Sequence, residues 1–204
     1  MVHRSLRYVL CLLIASAAVC CAADVAGIIV SLADPAKLAT LGERGANPRV
    51  QKITYWLETG RREGKPPEEI MDDVMNRLGW NDERGRLTTA AMLRNVDIAT
   101  KLGCTDDEGM EHMRHGRCAI VKNGPYAGDT LSVDHIVPRA LYPQLDNVLA
   151  NLELMPMKLN RAKSASFGQR QGFELGRFRD AGLIDTTAPA SSPATATAVA
   201  QPGS

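Results

Sequence analysis

The chain carries almost no net charge: 24 lysines and arginines stand against 23 aspartates and glutamates, for a formal +1. That balance excludes a chain basic throughout, the usual footprint of a sequence-specific DNA binder. Cysteine is scarce too. Of five residues, Cys11, Cys20 and Cys21 crowd near the start, so Cys104 and Cys118 alone serve the rest and allow at most one disulfide. No apolar run reaches the length of a bilayer span. Internal repeats, a phosphate-binding glycine loop, a serine elbow and a His-Glu-x-x-His helix are all missing, so P-loop, serine-hydrolase and zincin chemistry have nowhere to start.

What is present begins with the termini. Residues 1–23 run from basic (His3, Arg4, Arg7) through apolar (Tyr8 to Cys21) to small residues before Asp24. That order reads as a secretory signal peptide and implies a secreted or periplasmic protein with no stable membrane span once it is removed. Residues 185–204 hold alanine, threonine, serine and proline and read as a disordered tail. Removing Arg4 and Arg7 takes the 24 basic residues to 22 against 23 acidic ones, but the balance is uneven. Between Leu131 and Arg179 seven basic residues face four acids, a local excess suited to phosphate.

Residues 24–115 read as a helical region. Val50, Ile53, Trp56 and Leu57 recur at helical spacing before Gly60, and Ile70, Val74 and Leu78 before Gly79. Asp82 caps a third helix carrying Leu87, Ala91, Val96 and Leu102, and Thr105 to Glu108 start a fourth. Arg44, Arg49, Lys52, Arg61, Arg62 and Lys65 read as a solvated basic face. Residues 116–184 form the second region. It closes with a helix over 168–181 whose Phe173, Leu175, Phe178 and Leu183 are expected to pack inward.

The informative residues lie between. Thr130 to Val137 is rich in β-branched residues and reads as a strand that Pro138 ends. Val148 to Met155 reads as its returning partner and Pro156 to Ser164 as a helix, on which Asn160 and Lys163 share a face. Asp134 and His135 are adjacent, so a regular strand would point them to opposite sides. Both serve one site only where the strand ends or bends. A carboxylate and a carboxamide suit a hard divalent cation, and an imidazole titrating near neutrality suits a general base.

The segment from about Gly116 to Lys163 resembles the HNH (ββα-metal) endonuclease family, including the HNH domain of RNA-guided CRISPR nucleases. The resemblance rests on Asp134-His135-Ile136-Val137-Pro138, on Asn151 and on Asn160-Arg161-Ala162-Lys163, in order and at matching spacing. It implies an α+β, predominantly helical fold, with a helical N-terminal region, a small ββα-metal catalytic unit and a C-terminal helix. It implies Asp134 and Asn160 as metal ligands, with Mg²⁺ or a similar divalent cation such as Mn²⁺ as cofactor. His135 becomes the general base. Asn151 is placed with the catalytic residues, either in direct contact or holding His135 through backbone hydrogen bonds. Arg139, Lys158, Arg161 and Lys163 are the candidate phosphate contacts, with nucleic acid, DNA first, as substrate. The family's zinc knuckles are not expected: Cys118 would begin the first, but Val121, Pro156 and Leu159 stand at the other positions. For Cys104 and Cys118 a disulfide is the first expectation in an exported protein. A zinc site with His112 and His115, or free thiols, are the alternatives.

Overall fold

Aspartates start several of the helices. Asp24, Asp82 and Asp106 each accept a hydrogen bond from the backbone N–H three residues on, of Gly27, Gly85 and Gly109, at 2.8–3.0 Å. Each satisfies one of the donors that a helix leaves free at its first turn. The computed structural model describes residues 23–184. The leader expected over residues 1–23 lies, apart from Ala23, outside them, as does the tail expected over 185–204.

The helices are α1 (Val25–Ala33), α2 (Pro35–Leu38), α3 (Asn47–Arg62), α4 (Pro67–Leu78), α5 (Glu83–Lys101) and α6 (Asp107–Arg114). Strands β1 (Leu131–His135) and β2 (Leu152–Pro156) follow, then α7 (Met157–Lys163) and α8 (Gln169–Asp180). Gly79 ends α4 with φ 66°, a left-handed conformation that a side chain resists. The helical starts and stops therefore agree with the sequence reading, and the molecule is α-rich with one small antiparallel sheet. Helix α1 falls within the region expected to be helical, but no individual helix was assigned there. Its sequence VAGIIVSLA has Ser31 as its one polar side chain, so little marks an outward face, and it packs against α3 and α4.

One apolar cluster runs from Val25 to Leu154, so the helices and the hairpin share a core. Ile29, Ile53, Leu57, Ile70, Met71 and Leu131 are sealed within it. A second cluster joins Val137, Tyr142, Leu145, Ala150, Leu175 and Phe178, packing α8 against the connection between the strands. Phe173 does not join it: Leu175 and Phe178 are buried while Phe173 is 66% exposed. At about 100° per residue, position 173 lies roughly 140° around the helix from 178, which carries the ring away from the inward face.

The disulfide expectation is corrected as well: Cys104 and Cys118 are free thiols. The Cys104 thiol faces the carbonyls of Leu102 and Ile120, while Cys118 Sγ accepts from Gln51 Nε2, so different neighbours hold them. His115 is bound to Glu111 at 2.8 Å instead of turning to either sulfur.

β1 and β2 pair in the register Leu131 with Pro156 through His135 with Leu152. A two-stranded sheet is marginal by itself, because each strand has an unpaired edge. Here the outer edge of β2 meets α5. Asn95, fully buried, accepts from Leu154 N–H at 2.8 Å and donates from Nδ2 to Leu152 O at 3.1 Å. The amide thus does the work of a third strand. On β1, Gln51 Nε2 donates to Leu131 O at 3.1 Å, and Leu131 N–H donates to Ala119 O at 2.8 Å. Among the described residues no helix is long and apolar enough to cross a membrane.

The Asn95 contact yields a stability prediction. Asn95→Ala strands a buried N–H and a buried carbonyl, so unfolding free energy should fall by about 2–4 kcal/mol. Urea denaturation followed by circular dichroism measures this as a lower midpoint at unchanged slope.

Candidate active site

The strand expected to reach Val137 stops at His135, and the chain bends at Ile136 and Val137 before Pro138. The cause is Asn151. Its Oδ1 accepts from Val137 N–H at 2.7 Å, and its Nδ2 donates to Val137 O at 3.0 Å and to Leu145 O at 3.3 Å. Its own carbonyl accepts from Ile136 N–H at 2.8 Å. These bonds pull the chain out of the ladder one residue past His135, and Asp134, His135 and Asn160 come to line one cleft of about 420 Å³. Asn151 itself is fully buried with both ends of its amide engaged. Direct contact with a reacting atom is closed to it; it is a positioning residue.

His135 Nε2 lies 3.0 Å from the carbonyl oxygen of Asp146. A carbonyl only accepts, so Nε2 carries the hydrogen and the neutral ring leaves Nδ1 as the bare lone pair. Asp146 Oδ1 is 2.9 Å from the same nitrogen, within ion-pair reach but off the N–H direction. Burial pushes the imidazole below its ordinary value of 6.5, and Asp146 opposes the shift. The neutral ring, fixed in one tautomer, is the form able to take a proton at neutral pH.

Asp134 stands opposite Glu153 across the hairpin, both buried. Like charges in facing positions repel, so cations gather around them. Lys163 Nζ donates to Asp134 Oδ2 at 2.7 Å and to His135 O at 2.6 Å. Arg94 and Arg170 reach Glu153 at 3.0 and 2.7 Å. Burial still raises the Asp134 pKa above its ordinary value, against Lys163 and with a further push from Glu153. A carboxylate whose charge is disfavoured in this way gains from added positive charge. On α7, Asn160 turns Nδ2 to Ser132 Oγ at 3.0 Å and to Val133 O at 3.4 Å, leaving Oδ1 as the available acceptor.

A second lobe of about 670 Å³ adjoins the first and shares Arg44, His135, Asn160 and Arg161 with it. Arg44 has φ 55° and Ser164 φ 48°, the two non-glycine residues with positive φ among those described, and both line the first lobe. Such conformations cost about 1–3 kcal/mol and persist where surroundings enforce them. For Arg44 the enforcing contact is Asp146 Oδ2, which accepts its N–H at 2.9 Å.

The four expected phosphate contacts separate. Arg161 lines both lobes and is exposed. Arg139 lines the first but reaches Glu43 at 2.5 Å. Lys163 is committed to Asp134, which is a correction to its place among the free phosphate ligands. Lys158 is exposed on α7 and lines neither lobe. Sequence reasoning missed Arg44, assigned above to a solvated face, and Asp146. Chain distance hides both: their contact spans 102 positions.

Among the described residues no group of three or more His, Cys, Asp or Glu is placed to hold a metal ion. The candidate donor set is therefore sparse, with one carboxylate, one carboxamide oxygen and water. All are hard oxygen donors, a set that suits Mg²⁺, which keeps several of its waters when bound. No family model, curated protein or solved structure matches this chain.

Proposed function

We propose that this protein is a metal-dependent HNH-type endonuclease that hydrolyses phosphodiester bonds of nucleic acid, DNA first, with low sequence specificity. The observation that carries the reading is the convergence of Asp134, His135 and Asn160 on one cleft walled by Arg44 and Arg161. Export, expected from residues 1–23, belongs to the same reading and rests on the sequence alone.

Asp134 and Asn160 would hold the divalent cation. That ion supplies Lewis-acid stabilisation of charge on the phosphate and its leaving oxygen. His135 Nδ1 accepts the proton of a water as its oxygen attacks phosphorus, and the bond to the leaving oxygen breaks. The Asp146 carbonyl holds the imidazole in the required tautomer, and Asn151 holds the bend that presents it. Arg161 and Arg44 neutralise non-bridging oxygens. Lys163 opposes the burial that disfavours the charge on Asp134.

One observation favours a second reading. Lys163 already occupies one oxygen of Asp134, as it would in a nucleic-acid or protein binding module with an HNH frame and no turnover. Plasmid digestion with and without EDTA separates the two: metal-dependent nicking supports the nuclease, and binding without nicking supports the module.

Two predictions follow from the chemistry. His135→Ala should abolish nicking in Mg²⁺ or Mn²⁺ while circular dichroism and DNA binding stay as in the wild type. Full activity in that variant would refute the assignment. The second concerns pH. The pKa of His135 is lowered, so the accepting form prevails at neutral pH and is lost on acidification; the acid limb of kcat/KM should have its half-point below 6.5. Asp146→Ala keeps the carbonyl and removes a carboxylate that raises this pKa, so it should move the half-point further down. An unmoved or raised half-point contradicts the assigned electrostatics.

A further inference from the structure

Only three large apolar side chains are exposed among the described residues: Leu159 at 39%, Phe167 at 44% and Phe173 at 66%. All three fall between positions 159 and 173, on the stretch that leads out of the cleft. The whole chain has three phenylalanines; one, Phe178, is buried, and the other two lie here on the surface. A protein with so few aromatic rings gains nothing in folding from leaving two of them in water.

Their surroundings narrow the occupant. Phe167 follows Ser164 and Ala165, which line the cleft, and its ring sits 6.3 Å from that of Tyr142, tilted by 35°. A side chain in place of Gly172, one residue before Phe173, would meet the edge of the Phe167 ring at 3.8 Å, so that ring lies on the side of α8 where Gly172 stands. The Arg177 guanidinium stands 5.9 Å from the centre of the Phe173 ring. From Lys158 to Arg179 the chain has six basic residues and one acid, Glu174. Lys158, Arg161 and Arg179 have no salt bridge among the described residues. A second copy of this surface would bring like charge against like. A duplex would offer its phosphates but keep its base faces stacked inside. An unpaired strand offers both, with phosphates for the arginines and open π faces for the rings.

We infer that Phe167 and Phe173, with Arg177 beside Phe173 and Arg161 in the adjoining cleft, form a stacking platform for the bases of single-stranded nucleic acid, which leads a phosphodiester of that strand into the cleft. This rests on the nuclease reading for what happens in the cleft, but the platform itself is a binding surface. Stacking needs the flat ring, not its apolar area. Phe173→Leu should therefore fail where Phe173→Tyr succeeds.

The test uses the folded chain in EDTA and a fluorescein-labelled oligothymidylate of about 12 nucleotides, within the usual span of single-strand sites. Fluorescence anisotropy should give tighter binding than for a blunt duplex of equal length. Phe173→Ala and Phe173→Leu should each weaken it by about tenfold, the loss of one stacked base, with Phe167→Ala acting similarly and Phe173→Tyr restoring it. Circular dichroism checks that the exposed-site variants keep the fold. Wild-type hydrolysis of bis(4-nitrophenyl) phosphate in Mn²⁺ reads the cleft separately, through a diester too small to span the platform. Phe-dependent binding without hydrolysis upholds the platform and sinks the nuclease. Hydrolysis with binding indifferent to both phenylalanines, or equal affinity for the duplex, overturns the platform and leaves the nuclease standing. A shift in oligomeric state on Phe173→Ala with unchanged oligonucleotide binding overturns it too, in favour of contact between copies.

Discussion

Both strands of the hairpin are buried along their full length, and a buried strand edge must find partners for its N–H and C=O groups. A larger sheet would supply them from further strands. Here helices do so with amides: Asn95 of α5 reads the edge of β2 as a strand would, and Gln51 of α3 takes a carbonyl of β1. Once those edges are pinned, β1 can slide neither along β2 nor away from the helices. Register is what puts Asp134 opposite Glu153 and ends the ladder at His135. A slip of one residue would reverse which side chains meet the cleft. The helical layer, although it contributes few residues to the cleft, therefore determines whether there is a site.

Register also creates the main electrostatic problem. Two carboxylates face one another in the interior, and neither repulsion nor desolvation favours that arrangement. The cations that relieve it come from three elements: Lys163 from α7, Arg94 from α5 and Arg170 from α8. They divide the work, with Lys163 on Asp134 and the two arginines on Glu153. Asp134 keeps one oxygen clear of this network, and Asn160, three residues before Lys163, faces the same cleft. Spacing of three on α7 thus turns both the Lys163 ammonium and the Asn160 carboxamide toward β1, the first onto Asp134 and the second onto Ser132 and Val133.

How far the sequence revealed this follows from the range of each interaction. Helix ends were legible because their causes are local: Asp82 and Asp106 cap N–H groups three residues on, and Gly79 takes a conformation that ends α4. The trio Asp134, His135 and Asn160 was legible as motif letters, and the structure brings those three side chains to one cleft. The strand ends were misjudged because Asn151, 14 positions from Val137, decides where β1 leaves the ladder. Arg44 and Asp146 were invisible as partners, since nothing in either neighbourhood signals a contact across 102 positions. The thiols show the reverse error. Cys104 and Cys118 are the two cysteines left beyond the expected leader of an exported chain, which suggested a bond, yet their orientations are set by Ile120 and Gln51. Phe173 was assigned inward on apolarity alone, whereas helical phase turns it outward.

The connection between the strands shows why the second apolar cluster belongs to the site and not merely to α8. Residues 136–151 have little regular structure, only two short 3₁₀ turns at Pro143–Leu145 and Leu149–Asn151. Their polar groups nevertheless do the most specific work near His135: the Asp146 carbonyl fixes the tautomer and the Asp146 carboxylate holds Arg44 at positive φ. A carbonyl makes a dependable hydrogen-bond acceptor only if the backbone beneath it cannot turn. Leu145, directly before Asp146, is sealed among Val137, Tyr142 and Ala150, with Leu175 and Phe178 of α8 in the same cluster. Packing by α8 therefore reaches the imidazole through the chain at Leu145 and Asp146, and the two faces of α8 have different surroundings. One holds the loop that aims His135, and the opposite one turns Phe173 outward.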